Sequence, residues 1–524
     1  MTHSDSLFQL IHSLTIAEKG YFKKYSAKHV LGEKNDYMIL FEALDSLVEY
    51  NEQDLQDKVK EYGFAHRLSA VKHYLNKVIL ESMRAFYSET TVERTLLEML
   101  ADISFLWRRN LRSQAGKTAK KALKLSLEYE EFELSLKIIT WIETIFHQID
   151  NNIVYVPDDV VTLRDTVTKK LLTLKELNAI SEKLNFYMSR TGIKTDDFPQ
   201  EITELISHPL LQSNDHELSL YAALKLNNIY MVYHSYFDIT PGLGIVYAKR
   251  SYDIWRNNLH LAKEKPKYYI MSVQQYIQRC IFVRQFDTIA PIMEELRSFI
   301  HSLHGPQYES ARSEGYFALA NLECLTAMNA GKFTEGIQQS VRWESSLRPY
   351  EELLGPELLR PFFFNAAIIA FVEDDKKRAI HLLQRSLTYP LNIRQDIVSA
   401  ARLAETLIHF DMGNVRWIEY STRTLYRYIG ARQRLGKIEK SVVKFLRKLT
   451  EIRNRKEFIT ICKRIYTDIT ANPTLYSSSF VSLIAFDSWL LSKIENTTFA
   501  SQLLHKLQSD ELLNTHLDAP DTEK

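Results

Sequence analysis

The stretch from Arg423 to Arg464 stands out from the rest of the chain by its charge. It contains fourteen lysine or arginine residues and three glutamates, so it carries +11 in a protein of formal net charge +1. Four aromatic residues are interleaved with the basic ones: Tyr426, Tyr428, Phe445 and Phe458. Basic side chains attract anions, and this pattern favours contact with an acidic protein, a nucleic acid or the acidic remainder of the chain.

A structural interpretation of the same stretch is favoured, because charge runs on helices are usually solvated, and it is compatible with the first. Apolar residues recur among the basic ones, so the run can be a solvated helix face whose other side packs into the protein. These apolar residues are Val442, Val443, Phe445, Leu446 and Leu449. If the surface binds a partner, we expect the contact to involve Arg447, Lys448, Arg453 and Arg455, which cannot all face a core.

Two glycine-containing motifs suggest nucleotide chemistry, and neither is complete. Gly116-Lys117-Thr118 resembles the end of a phosphate-binding loop, but Leu111 stands where that motif requires a glycine. An alanine-patterned helix is the better interpretation there. Gly242-Leu243-Gly244 has no third glycine and no preceding strand, so we expect a turn.

Candidate metal ligands and nucleophiles are equally sparse. His301 and His304 have the i, i+3 spacing of one helix face, but zinc needs three or four ligands, and no HExxH or CxxC motif supplies the others. The cysteines Cys280, Cys324 and Cys462 are far apart and odd in number, so no disulfide framework is implied. No GxSxG nucleophile motif occurs. We therefore expect no cofactor, no metal and no enzymatic activity.

The elements that position these residues are expected to be helices. A chain of 524 residues is too long for one compact core, so several domains or an extended stack of repeats is expected. Only 15 glycines and 13 prolines are present, which suits long helices with short connections. The N-terminus lacks the pattern of a secretory signal, and the apolar runs fall short of the roughly 20 residues that span a bilayer. We expect a cytoplasmic protein without a membrane partner.

Residues 362–390 predict the unit from which the chain is built. Phe362 to Phe371 is apolar almost all round, as a helix buried on most faces must be. Acidic residues 373–375 follow, where they favour the start of a second helix, and Pro390 ends that helix. Ala379 should lie where the two helices cross. Positions equivalent to Ala379 recur at intervals of 45, 47, 43 and 39 residues, at Gly244, Ile289, Gly336 and Ile418. This period predicts a helical solenoid.

Small residues near the middle of the helices and turns of the form Gly-polar-apolar resemble tetratricopeptide repeats. The best matches are Gly331–Trp343 and Phe362–Pro390, with Asn110–Ser126 weaker. The period exceeds the roughly 34 residues of that family, and no unit carries its full Trp/Leu-Gly/Tyr signature. The resemblance covers about residues 91–470 and implies a superhelix with a peptide-binding groove. The stretches LTIAEKGYFKKYSA and FDSWLLSKIE also resemble the ends of uncharacterised bacterial helical-repeat proteins, which implies no activity.

The chain is thus predicted to be an all-α, tetratricopeptide-like superhelical array of antiparallel hairpins. We expect a helical cap in residues 1–90, hairpins in 91–192, repeats in 201–470, capping helices in 471–508, and an acidic, disordered tail in 509–524. Val160–Leu172 and Leu174–Arg190 should form an antiparallel pair, residues 191–200 a hinge, and Phe480–Ile494 the last helix.

The expected function is non-catalytic binding of a protein or peptide, as a scaffold or adaptor. The alternative is a nucleic-acid-binding or regulatory protein that uses residues 423–464. An exposed apolar or aromatic groove favours a peptide, and a continuous basic stripe favours nucleic acid.

Overall fold

The computed structural model describes residues 3–28, 36–87, 91–149, 158–191, 200–212, 218–237, 241–391, 393–430, 436–449, 452, 454–477 and 479–514. Every regular element in these residues is an α-helix or a short 3-10 helix, and they contain no strand. The predicted all-α class is therefore confirmed.

Residues 1–157 form one compact unit. Its helices are α1 His3–Ser13, α2 Ile16–Lys28, α3 Asp36–Asp45, α4 Glu52–Val59, α5 Leu68–Phe86, α6 Val92–Arg108, α7 Arg112–Glu128 and α8 Phe132–Ile149. Helices α1–α5 share a core around Phe22, Phe41 and Leu75, and α6, α7 and α8 pack on one another. Gly116 to Thr118 lies inside α7, so the expectation of a helix at that motif is confirmed.

Residues 158–524 form the second compact unit. Its helices are α9 Asp158–Thr191, α10 Gln200–Ile206, α11 Leu220–Tyr236, α12 Pro241–Asn257, α13 Leu259–Glu264, α14 Pro266–Phe282, α15 Ile289–Ser302, α16 Glu309–Asn329, α17 Phe333–Leu347, α18 Pro356–Val372, α19 Lys376–Thr388, α20 Gln395–Asp411, α21 Val415–Gly430, α22 Lys437–Leu449, α23 Arg455–Thr470, α24 Pro473–Ser477, α25 Phe486–Glu495 and α26 Phe499–Asn514. The two units meet at residue 157. The domain boundary expected near residue 90 therefore lies inside the first unit, and the boundary expected at residues 192–201 lies inside the second.

Five helix pairs of the second unit share one arrangement. The helices pack against each other within α11–α12, α14–α15, α16–α17, α18–α19 and α20–α21. Among the first helices, α14 also contacts α16, α16 contacts α18, and α18 contacts α20. We call α11, α14, α16, α18 and α20 the first-helix row. The five positions predicted to be equivalent all lie near the start of the second helix of a pair, and all are buried: Gly244, Ile289, Gly336, Ala379 and Ile418.

Close helix packing explains the small residues at two of these positions. Ala379 is fully buried at the contact between α18 and α19. A Cβ atom added to Gly336 would lie 3.1 Å from the Cβ of Ala327 and 3.2 Å from Cδ1 of Ile369. Interiors are packed like crystals, so larger side chains do not fit without displacing these neighbours.

A buried arginine fixes the connection from α19 to α20. Arg360 of α18 is fully buried, and its guanidinium donates to the carbonyl oxygens of Ser386 at 3.0 Å, Tyr389 at 2.7 Å, Pro390 at 3.1 Å, and Ile393. It forms no ion pair with any described residue. The partial negative charge at the C-terminus of α19 compensates the guanidinium instead. Burial lowers the pKa of Arg360.

Half-buried ion pairs join the second helices of neighbouring pairs. Glu344 of α17 binds Arg378 at 2.9 Å and Arg385 at 2.8 Å, both on α19. Arg385 also binds Glu351 at 2.6 Å, and its guanidinium lies 4.0 Å from the ring centroid of Phe363. Such a cluster fixes the orientation of α19 on α17, because each charged side chain must stay within hydrogen-bond distance of its partners.

Helices α25 and α26 contact the ends of α16, α18 and α20, and we call residues 486–514 the C-terminal strap. Trp489 Nε1 donates to Asp411 Oδ2 at 3.0 Å, and Lys493 lies 2.8 Å from the same carboxylate at the end of α20. The Phe499 ring lies 5.3 Å from Phe371 at the end of α18. The strap therefore bridges hairpins that are distant from it in sequence.

The strap also reaches the end of α16, where Gly331 has a positive φ of 71°. A Cβ atom there would lie 2.5 Å from Cδ1 of Leu504. Gly413, at the end of α20, has a φ of 72° but no atom within 4 Å of such a Cβ atom. Comparing substitutions at the two glycines therefore distinguishes the effect of backbone strain from the effect of contact with the strap.

We expect Gly331→Ala to destabilise the protein more than Gly413→Ala. Both variants place alanine in the left-handed region at about 1–2 kcal/mol, but only the first displaces the Leu504 side chain from its contact, for an excess of up to about 1 kcal/mol. Chemical denaturation of the full chain measures the difference. Leu504→Ala should abolish the excess in a double-mutant cycle, and an equal cost of both glycine variants would contradict the docking of the strap on α16.

Two local predictions in the middle of the chain are wrong. Val160–Leu172 and Leu174–Arg190 are parts of the single 34-residue helix α9, because neither glycine nor proline interrupts it and Thr173 continues it. Gly242-Leu243-Gly244 belongs to the first turn of α12, which begins at Pro241. Proline suits that position because its nitrogen needs no hydrogen-bond acceptor there.

The predicted last helix Phe480–Ile494 is also wrong in its extent. Ala485 has a left-handed φ of 49°, so the helical run is broken and α25 starts only at Phe486. A further helix, α26, extends to Asn514, and the expected start of the tail at residue 509 falls inside it. Residues 515–524 of the expected tail lie outside the described residues.

Candidate functional site

Helices α21, α22 and α23 carry the described part of the basic stretch. All of its described lysines and arginines are exposed: Arg423, Arg427, Lys437, Lys440, Lys444, Arg447, Lys448, Arg455, Lys456, Lys463 and Arg464. Glu439 is buried, and burial raises the pKa of its carboxyl. The predicted apolar side of α22 is confirmed, since Val442, Val443, Phe445, Leu446 and Leu449 are buried.

The four candidate contact residues separate into two groups. Arg447 and Lys448 are neighbours in the last turn of α22, and both are exposed. The guanidinium of Arg447 lies 4.2 Å from the ring centroid of Tyr426 on α21. Arg455, the first residue of α23, donates to Asn496 Oδ1 in the C-terminal strap, which gives it a structural role. Arg453 lies outside the described residues.

The aromatic residues of the stretch are mostly structural. Phe445 is buried, Phe458 lies 5.0 Å from Phe410, and the Tyr428 hydroxyl donates to a backbone carbonyl at 2.8 Å. Only Tyr426 is exposed, at 44%. Sequence reasoning missed two rings just before the basic run, Trp417 and Tyr420, which are 51% and 64% exposed.

Trp417 is held in place although half of it is exposed. Its ring stacks on the buried ring of His409 at 5.2 Å and 11°, and Tyr420 meets it edge-to-face at 5.7 Å. His409 Nδ1 lies 3.2 Å from Nδ2 of Asn414. Burial lowers the pKa of His409, so its ring stays neutral at physiological pH. The exposed ring is thus supported by a fixed neutral partner.

A second polar feature, the amide row, follows the first-helix row. Asn228, Gln275, Asn321 and Asn365 lie on α11, α14, α16 and α18 at intervals of 44 to 47 residues, and all are half-buried. Asn228 Nδ2 donates to Gln275 Oε1 at 3.4 Å, and Asn365 Nδ2 donates to Asn321 Oδ1 at 2.7 Å. Glu405, also half-buried, follows at the corresponding position of α20.

Asn365 is the clearest member of the amide row, because its surroundings are apolar. Every other residue from Phe362 to Phe371 is buried. Among the described residues, no protein group bonds to Oδ1 of Asn365 or to Nδ2 of Asn321. The pair therefore leaves the Asn365 Oδ1 acceptor and three donor hydrogens, one on Asn365 Nδ2 and two on Asn321 Nδ2, for another molecule. The sequence signal for the amide row is a polar residue that recurs once per hairpin. Sequence reasoning missed it because residues 362–371 are otherwise apolar, so the single asparagine among them did not stand out.

Other chemistry considered from the sequence has little support in the described residues. They contain no group of three or more histidine, cysteine, aspartate or glutamate side chains placed to hold a metal ion. His301 lies in α15 and His304 beyond its end, both exposed. Burial raises the pKa of Cys324 and Cys462 to about 12, so these thiols stay protonated and unreactive at neutral pH.

Two further findings bear on function. No helix in the described ranges combines the length and the apolar character needed to cross a membrane. A comparison of the chain with models of known protein families found no match, and a comparison with curated proteins found none either.

Proposed function

We propose that this protein is a non-catalytic scaffold or adaptor that binds a protein or peptide along its first-helix row. The observation that carries this proposal is the amide row. Each carboxamide offers a donor and an acceptor, the same pair of groups that a peptide bond offers. Neutral amides hydrogen-bond to the main chain of a peptide whatever charge its side chains carry. The side chains of the partner can therefore contact neighbouring residues of this protein.

The proposed architecture is a tetratricopeptide-like superhelix whose first-helix row lines the concave side. The repeated packing of five hairpins supports it, and so does the recurrence of buried small or apolar residues at equivalent positions. In such an array an extended segment lying across the row would meet one amide per hairpin. We also propose a cytoplasmic location, which the three free, buried cysteines support.

Selection from a displayed library of random peptides tests this function, because it requires no identified partner. We expect the full-length protein to select extended peptides whose affinity falls about 10-fold or more in the Asn321→Leu/Asn365→Leu variant, since a hydrogen bond left unmade costs about 1–3 kcal/mol. Because both partners of one hydrogen bond become apolar together, the fold should lose little stability.

The control for this experiment is Asn257→Leu, which makes the same change at an exposed position of α12. It should leave peptide affinity unchanged. Peptides carrying N-methyl groups on the backbone should bind more weakly than unmodified ones, because methylation removes the donor that Asn365 accepts. A library that yields no binder, or binders indifferent to the double variant, would exclude the amide row as the binding site.

A further inference from the structure

Helices α21 and α22 form a surface that the amide row does not include. We call it the basic–aromatic surface, and it consists of Trp417, Tyr420, Arg423, Tyr426, Arg427, Lys440, Lys444, Arg447 and Lys448, all exposed. The stacking of Arg447 on Tyr426 joins the exposed faces of the two helices. A cation and an aromatic ring therefore adjoin where the two helices meet.

The aromatic part of this surface is organised before any partner arrives. Leaving large apolar rings in water is unfavourable, and an exposed patch of this kind commonly marks a binding site. Trp417 is held by His409 and Tyr420, as described above, so it loses little conformational freedom when another ring stacks on it. Tyr420, at 64% exposure, is the most exposed aromatic ring of the surface.

The cationic part is a stripe along α22. Lys440, Lys444 and Lys448 are spaced i, i+4, i+8, so they follow one another about 6 Å apart along the helix. None of the three forms an ion pair with a described residue. Arg423 is paired with Glu419, so the lysines provide most of the uncompensated charge. Such a stripe attracts a chain of regularly spaced anions.

We propose that the basic–aromatic surface binds single-stranded nucleic acid, with phosphates on the α22 lysines and bases stacked on Trp417 and Tyr420. Grooves that bind single strands combine cations along the backbone with aromatic platforms for the bases. The bases of a duplex are stacked on one another, and acidic side chains carry no ring, whereas a single strand offers both phosphates for the lysines and free base faces for the exposed aromatics. This function is independent of peptide binding at the amide row.

Fluorescence anisotropy with labelled oligouridine and oligothymidine tests the proposal on the full-length protein. We expect Tyr420→Leu to weaken binding of the single strand about 5-fold or more, as expected for the loss of one base–aromatic stack. The matched control is Tyr268→Leu on α14, which removes a tyrosine of similar exposure, 59%, outside the surface. Equal effects of the two variants, or no binding of either oligonucleotide at low salt, would overturn the proposal.

A charge variant tests the other half of the surface. When the logarithm of the binding constant is plotted against the logarithm of the salt concentration, Lys440→Gln/Lys444→Gln should make the slope shallower by about 1.4. This is the change expected for the loss of two phosphate contacts on a single strand. Lys332→Gln/Lys377→Gln removes the same charge at exposed positions elsewhere and should leave the slope unchanged. The single-strand proposal would be rejected if a duplex bound as tightly as the single strand. It would also be rejected if polyglutamate displaced the labelled oligonucleotide as well as an unlabelled single strand does, because charge alone would then be recognised.

Discussion

Replacing Arg360 by methionine should destabilise the protein by about 3 kcal/mol or more, because one buried and three part-buried carbonyl oxygens lose their donor, at about 1–3 kcal/mol for each that is left unsatisfied. Methionine fills much of the same volume but offers no hydrogen bond. The end of α19 and the link to α20 would then lose the four contacts that fix them. Thermal and chemical denaturation of the full-length chain measure the loss.

Two companion variants separate the hydrogen bonds of Arg360 from its charge. Arg360→Lys keeps the positive charge but has a shorter reach and no planar fork, so it should recover only part of the stability. Arg348→Met is the control: it replaces an exposed arginine by methionine and should change the melting temperature little. A stable Arg360→Met protein would mean that water or a shifted backbone satisfies the carbonyl groups.

Ala379→Leu should give the second large effect, a clear fall in melting temperature. Extra methylenes in a filled interior cost about 1–3 kcal/mol, sometimes more. Ala379 is fully buried, and α19 packs against α18, so a leucine side chain there must displace neighbouring groups. The tight fit at the equivalent Gly336 indicates that neighbouring pairs offer no more room.

The control for this substitution is Ala290→Leu, at an exposed position of α15. Alanine and leucine have similar helix propensities, so this variant reports any effect of leucine other than packing. It should melt like the native protein. If Ala379→Leu did the same, the helix crossing assigned to Ala379 would be wrong.

The hairpins were predictable because their signals are local. Thr15 and Glu18 predict the start of α2, and the capping box is present, with the Glu18 N–H donating to Thr15 Oγ1 at 3.3 Å and the Thr15 N–H donating to the Glu18 carboxylate at 2.7 Å. Asp375 accepts from the Arg378 N–H at 3.1 Å, as expected for an acidic residue that begins α19. In α9, by contrast, the predicted break at Thr173 failed because threonine lowers helix propensity only slightly.

Contacts between distant residues were not predictable from local pattern. Nothing in the sequence around Trp489 indicates that its indole N–H donates to Asp411, a residue 78 positions earlier. Arg360 is likewise an ordinary charged residue in sequence, and only the fold buries it. At the candidate sites, the basic charge of residues 423–464 was visible, but the exposure of Trp417 and Tyr420 depends on how α21 packs.

The C-terminal strap has a consequence for how the chain acquires its structure. Hairpins that touch only their neighbours can fold in succession as the ribosome releases them, and they can also unfold one at a time. The strap is synthesised after the hairpins on which it lies, so their final contacts form only after residues 486–514 have left the ribosome. These late contacts raise the contact order of the second unit, which slows the last folding step. In return, α16, α18 and α20 are tied to one segment, so their loss of structure becomes cooperative.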